Sequence, residues 1–119
     1  MPDPYAERLA KVRHRFAATL ESKIEDTFIA LPSLTGEKSS VAEVIEETYR
    51  RIHSIAGIGK AVGFAATGRA ARTVENVLMP AHSAGRALKA EEATRLRKEL
   101  QALREAAQQE LDLVATSGM

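Results

Sequence analysis

The sequence predicts an all-α fold: a single-domain, antiparallel four-helix bundle spanning residues 1–119. Three observations carry that prediction. Apolar residues recur every three or four positions over long stretches, the spacing of one helix face. The apolar–polar alternation that marks strands is not seen. Short segments holding proline or glycine separate the stretches, and short connections favour antiparallel neighbours.

The first helix is placed at about 4–31. Asp3-Pro4 starts it, with an N-cap acceptor followed by proline at the first helical position, where its missing N–H is no loss. Leu9, Val12, Phe16, Leu20, Ile24 and Phe28 form its apolar stripe. Pro32 disfavours helix in the residue before it, so a stop near Leu31 is expected. Residues 32–39 read as a polar loop containing Gly36.

Ser40 and Glu43 have the spacing of a capping box, which places a second helix at about 40–62. Val41, Val44, Ile45, Thr48, Ile52 and Ile55 form its buried face. Gly57, Gly59, Gly63 and Gly68 follow in close succession. Glycine inside a helix costs about 1 kcal/mol relative to alanine, so this cluster requires a reason.

A third helix is placed at about 64–79, with small residues (Ala66, Ala70, Ala71) on its inner face and Val74, Val77 and Leu78 at its end. Pro80 is expected to stop it, leaving residues 81–89 as a loop. The fourth helix, at about 90–115, carries Leu96, Leu100, Leu103, Leu111 and Val114, and Ala107 fills the gap in that stripe.

The bulk properties narrow the function classes. The chain has 119 residues, 45% of them apolar and 28% charged, which suits one folded domain with one core. Seventeen basic and 16 acidic side chains give a net charge of +1, without the basic excess of a dedicated nucleic-acid binder. No cysteine is present, which removes disulfides, zinc thiolates and cysteine nucleophiles and is compatible with a reduced, cytoplasmic setting. No apolar run is long enough to span a bilayer, and the Met-Pro-Asp-Pro-Tyr start is not read as a signal peptide. No two histidines share helical spacing beside a carboxylate cluster, so no metal site is expected.

The chemistry is concentrated between His53 and Phe64. A helix turns roughly 100° per residue, which sets His53 about 120° from the middle of the buried stripe, at the edge of the core and largely in water. Tyr49, Arg50, Gly57 and Lys60 fall within roughly 60° of it. A neutral imidazole is a nucleophile near neutral pH, since its reference pKa is about 6.5. Gly57, one turn along, removes the side chain beside the ring and lets a bulky partner come close. Gly63 is expected to permit close approach or tight packing near the helix end. Arg50 and Lys60 can offset the charge of a phosphoryl group.

His53, Gly57, Gly63 and Phe64 reproduce the spacing that marks histidine phosphotransfer (HPt) domains: histidine, glycine four residues on, glycine ten residues on, then often Phe, Leu or Ala. Val74-Glu75 is similar to the hydrophobic–glutamate pair common in the family's third helix. For a given histidine, glycine at both offsets arises by chance roughly once in two hundred cases. His14 and His82 lack the pattern, since Ala18 and Arg86 stand four residues after them. The resemblance covers most of the chain, with the helices in the expected order.

The resemblance implies a phosphocarrier and not an enzyme, without cofactor or metal, phosphorylated on the outer nitrogen Nε2 of His53. It implies a histidine kinase and a response-regulator receiver domain as partners, the receiver's aspartate and magnesium ion supplying most of the stabilisation of transfer. Nucleic acid and membrane are not expected partners, and a monomer is expected. The docking residues would be Gly57, Ala56, Ile58 and Gly63, with a partner helix laid beside the second helix over Gly57, Ile58 and Ala61. Many family members hold lysine three residues after the histidine, where this chain has Ala56. Lys60 is the first candidate for the compensating charge and Arg50 the second. The alternative is a non-phosphorylated helical adaptor that binds signalling partners. Tyr49 is expected to be a boundary residue with a wet hydroxyl, and His14 and His82 to be solvated. Gly59 and Gly68 are expected to serve close helix approach. Arg69 and Arg72 read as part of a solvated face that can border a docking surface.

Overall fold

Helices α1 (Pro4–Leu34), α2 (Val41–Ala61), α3 (Ala65–Ala84) and α4 (Ala90–Thr116) make up the computed structural model, which describes residues 3–36 and 40–116. No strand occurs among the described residues. Each helix packs on two neighbours in the cyclic order α1–α2–α3–α4, and the α2–α3 seam is the most extensive. Neighbours run antiparallel. Arg13 meets Val62 and Arg51 meets Thr27 across α1 and α2, while Tyr49 meets Glu75 and Glu46 meets His82 across α2 and α3.

The core follows the apolar stripes. Leu20, Ile45, Ile52, Leu78, Leu96, Leu100 and Leu103 are without solvent exposure, and Phe16 packs edge-on to Phe64 with ring centroids 5.1 Å apart. Val12 is exposed, although Leu9 nearer the start of α1 packs against the core, and Arg13 beside it grips the α2–α3 turn through the Val62 carbonyl. That Nε–O bond is 2.8 Å long and satisfies a carbonyl at the C-terminal end of α2 that has no partner within the helix.

Both proline stops differ from expectation. α1 continues through Pro32 to Leu34, and α3 continues through Pro80 to Ala84. A helical proline forfeits its own hydrogen bond and crowds the carbonyl one turn back, at a bounded cost. Leu34 and Ala81 are fully buried, and their packing outweighs that cost. The backbone N–H of Leu88 also holds the Leu34 carbonyl at 2.8 Å. The stop of α3 is Gly85, whose left-handed φ of 61° lets the Gly85 and Arg86 N–H groups reach back to the last carbonyls. The expected 81–89 loop therefore shrinks to residues 85–89. Residues 37–39 of the expected 32–39 loop lie outside the described residues.

Capping also moves. Ser40 precedes α2 but makes no side-chain cap bond, since its backbone (φ −92°, ψ 3°) is not the extended conformation that aims a hydroxyl at the first turn. The reciprocal carboxylate contact forms at α4 instead, where Glu92 accepts from the Lys89 N–H at 2.8 Å. Arg86 grips the same carboxylate with two bonds, of 2.8 and 3.1 Å. These bonds, that from Arg86 foremost, hold the Glu92 carboxyl at a pKa of about 2. At the start of α3 the Thr67 N–H finds the Glu110 carboxylate of α4 at 2.6 Å, a negative charge at a helix N-terminus.

Glycines set the α2–α3 spacing. A Cβ on Gly68 would stand 3.1 Å from the Lys60 nitrogen and 3.2 Å from the Ala56 carbonyl, both backbone. A Cβ on Gly59 would stand 3.2 Å from the Phe16 ring. These two glycines serve close helix packing, as the sequence suggests.

Candidate functional site

The site lies on the α2–α3 seam. Thr48, Ile52 and Ile55 turn the buried face of α2 inward, which carries Tyr49 and His53 to the rim facing α3. On α3, Val74 and Leu78 point inward and bring Glu75 to the same rim. Glu75 is 4% exposed, so its carboxylate must find donors inside the protein.

It has three. The His53 Nδ1 lies 3.1 Å from Oε1, the Tyr49 hydroxyl donates to Oε2 at 3.3 Å, and the Arg72 Nη1 stands 3.1 Å from both oxygens. A carboxylate only accepts, which assigns the proton in the first bond to Nδ1 of His53. The lone pair of the neutral ring is then on Nε2, which makes no hydrogen bond among the described residues. The His53 side chain is 60% exposed. One edge of the imidazole is thus held by a buried anion while the other is open.

The ring also has an aromatic support. Tyr49 stacks on His53 with centroids 6.0 Å apart, and on His82 with centroids 4.0 Å apart and planes 7° apart. His82 in turn bonds Glu46 through Nε2. Burial, and then the negative Glu75, push the Tyr49 hydroxyl above its ordinary pKa, which keeps it a donor. The hydrogen bonds from His82 and Arg50 hold the Glu46 carboxyl below the usual range. The sequence expectations of a wet Tyr49 hydroxyl and a solvated His82 are therefore corrected. Glu75 draws in the Tyr49 hydroxyl, and His82 reaches the Tyr49 ring because α3 does not end at Pro80.

The predicted site residues separate. Gly57 is exposed, and a Cβ there would meet nothing within 4 Å, so the surface beside His53 is open. Ile58 is partly buried against the core and Ala61 is exposed. Ala56 is 2% exposed, with its carbonyl beneath Gly68. Gly63 forms the α2–α3 turn with a φ of 90°, so its glycine answers to backbone geometry and not to close packing. Arg50 is turned back one helical turn onto Glu46, at 2.7 Å. Lys60 is exposed and lines a groove of about 350 Å³ with Ala56, Ala65, Gly68, Arg69 and Arg72.

Arg72 and His82 belong to the site more closely than their positions in the chain suggest, and Tyr49, which spacing already sets beside His53, shares its carboxylate. The signal for Arg72 was Glu75, an acidic residue on the buried stripe of α3. A buried acid demands donors, and the rim of α2 opposite is where they would come from. No group of three or more His, Cys, Asp or Glu side chains suited to a metal ion occurs among the described residues. No helix among them is long and apolar enough to cross a membrane.

A four-helix bundle that presents one anchored imidazole, with the glycine beside it left bare, has the build of a phosphocarrier. The chain belongs to the Hpt domain family, whose model matches residues 11–106 and so spans the site, the whole of α2 and α3, and most of α1 and α4. Membership implies a histidine phosphotransfer role in a phosphorelay. No curated protein and no solved structure matches the chain significantly.

Proposed function

We propose that His53 is the phosphorylated residue, and that the chain carries the phosphoryl group between a histidine kinase or receiver domain and the aspartate of a response-regulator receiver. The observation that carries this reading is the anchoring of Nδ1 on buried Glu75 while Nε2 stays open. In the forward step the Nε2 lone pair attacks phosphorus, an Nε2–P bond forms, and the phosphorus–oxygen bond to the donor breaks. Positive charge develops on the ring as this happens, and the Glu75 carboxylate at Nδ1 offsets it. In the return step the receiver carboxylate attacks the phosphorus and the ring leaves with its lone pair on Nε2 and its proton on Nδ1.

Gly57 and Ala61 give an approaching partner a surface with small or no side chains beside His53. A relay needs rapid exchange, so this contact is expected at the small end of protein interfaces. The test is phosphotransfer from candidate kinases with radiolabelled ATP, or from a phosphorylated receiver, with His53→Gln as control. Acid-labile, base-stable label that is absent from the control supports the reading. A folded protein that no competent donor labels would move the conclusion to a non-phosphorylated docking module.

A further inference from the structure

A phosphoryl group on His53 brings up to two negative charges next to a buried carboxylate. Glu75 is held there by Tyr49 as well as by His53. The protonated ring between them offsets part of this charge, and a basic side chain beside the phosphoryl group would offset the rest. The structure treats Arg50, Lys60 and Arg72 differently. Arg50 is committed to Glu46, one turn from His53 in the direction away from Gly57. Lys60 is exposed on the groove wall two turns along, without an ion pair among the described residues. Arg72 is already at the carboxylate that holds His53.

The geometry of Arg72 suits a second ligand. Only Nη1 is used on Glu75, at 3.1 Å from each oxygen. Nε and Nη2 make no hydrogen bond among the described residues, and the side chain is 49% exposed at the mouth of the groove. A guanidinium is a planar fork whose remaining donors match the oxygens of a phosphoryl group. We infer that Arg72 is the phosphoryl-binding cation of this domain, holding Glu75 with Nη1 and the phosphoryl oxygens on His53 with its free donors. This inference rests on the reading of His53 given above.

The test uses the whole protein and phosphoramidate, a small donor that needs no protein partner. Nε2 attacks its phosphorus, the P–N bond breaks and ammonia leaves. The ³¹P resonance of the phosphohistidine is then followed against pH in the wild type, Arg72→Ala, Arg72→Lys, Lys60→Ala and Arg50→Ala, with circular dichroism to confirm each fold. A bound guanidinium favours the dianion, so Arg72→Ala is expected to raise the apparent phosphoryl pKa by about half a unit. Arg72→Lys should recover part of the shift, and the other two variants should show little.

An unchanged titration in folded Arg72→Ala overturns the inference, because a role confined to positioning Glu75 would not touch the phosphoryl group. A shift confined to Lys60→Ala overturns it in favour of that lysine. Absence of His53 labelling by phosphoramidate in the wild type would end it together with the reading on which it rests. Labelling by phosphoramidate with the Arg72 shift, but no transfer from any kinase or receiver, would sink the relay function alone.

Discussion

The imidazole of His82 lies flat on the phenol of Tyr49, with centroids 4.0 Å apart and planes 7° from parallel. These rings come from α3 and α2, and the contact exists because α3 runs through Pro80 to Ala84. Behind the stack, His82 is tied to Glu46; in front of it, the Tyr49 hydroxyl is tied to Glu75. The end of α3 is therefore joined mechanically to the carboxylate that orients His53.

Two substitutions separate the stack from the hydrogen bond. Tyr49→Phe keeps the ring and removes the donor to Glu75, with an expected loss of about 1 kcal/mol in urea unfolding. His82→Ala removes the stack together with the bond to Glu46 and leaves the Tyr49–Glu75 bond in place, at an expected cost of about 0.5–1.5 kcal/mol for the stack. Phosphotransfer should slow a few-fold in Tyr49→Phe and less in His82→Ala. Equal rates in Tyr49→Phe and wild type would show that Glu75 holds His53 without help from the phenol.

Glu75 should govern the tautomer of His53. In the wild type the carboxylate keeps the proton on Nδ1. Glu75→Ala removes that acceptor, and the ring should drift towards the Nε2–H form that blocks the nucleophilic lone pair. ¹⁵N chemical shifts of the imidazole read this directly, and labelling of His53 should fall about tenfold or more. Unaltered shifts in a folded variant would remove Glu75 from the mechanism.

Gly57 and Gly68 should respond in opposite ways. Gly57 has open space around a Cβ, so Gly57→Ala is expected to stabilise the helix by about 0.5–1 kcal/mol. Gly57→Leu should also fold, but should block transfer by filling the approach to His53. Gly68→Ala drives a Cβ against the α2 backbone and should cost about 1–3 kcal/mol. Urea midpoints compare stability, and a transfer assay tests the block. Unimpaired transfer by Gly57→Leu would refute the docking surface proposed at Gly57.

The α3–α4 junction should carry a pH signature. The Glu92 carboxyl is ordinarily near 4.5 and is held at about 2 in the fold, chiefly by Arg86. A lowered native value means that the carboxylate favours the folded state above pH 4.5, and that this support is lost as the pH falls from there towards 2. Glu92→Gln should therefore be less stable than wild type at pH 7, and the gap should close between those limits. Urea unfolding at a series of pH values measures it, and a constant gap down to pH 2 would contradict the assignment.

Much of the bundle was legible along the chain because helix faces repeat locally. Phe16, Leu20, Ile24, Ile45, Ile52, Leu96 and Leu100 are buried where their spacing puts them. His53 was legible for the same reason, lying one helical turn from Gly57 and off the apolar stripe. The errors cluster where a local rule met a distant contact. Pro32 and Pro80 read as stops, and the burial of Leu34 and Ala81 by other helices overrode them. The cover that Gly68 puts over Ala56 is likewise a contact between helices that spacing along α2 does not announce.

The sequence by itself determined four helices, their apolar faces, one histidine with a bare flank, and the family pattern, since each depends on residues within a few turns of one another. Only the tertiary structure decided that Glu75 takes Nδ1 of His53, that Arg72 and Tyr49 share that carboxylate, and that His82 stands behind Tyr49. Those contacts depend on the register between α2 and α3, which is set by the packing of small residues at the seam and by the turn at Gly63. Periodicity along a single helix does not contain that register; it arises when two faces are pressed together and the side chains at their rim find partners.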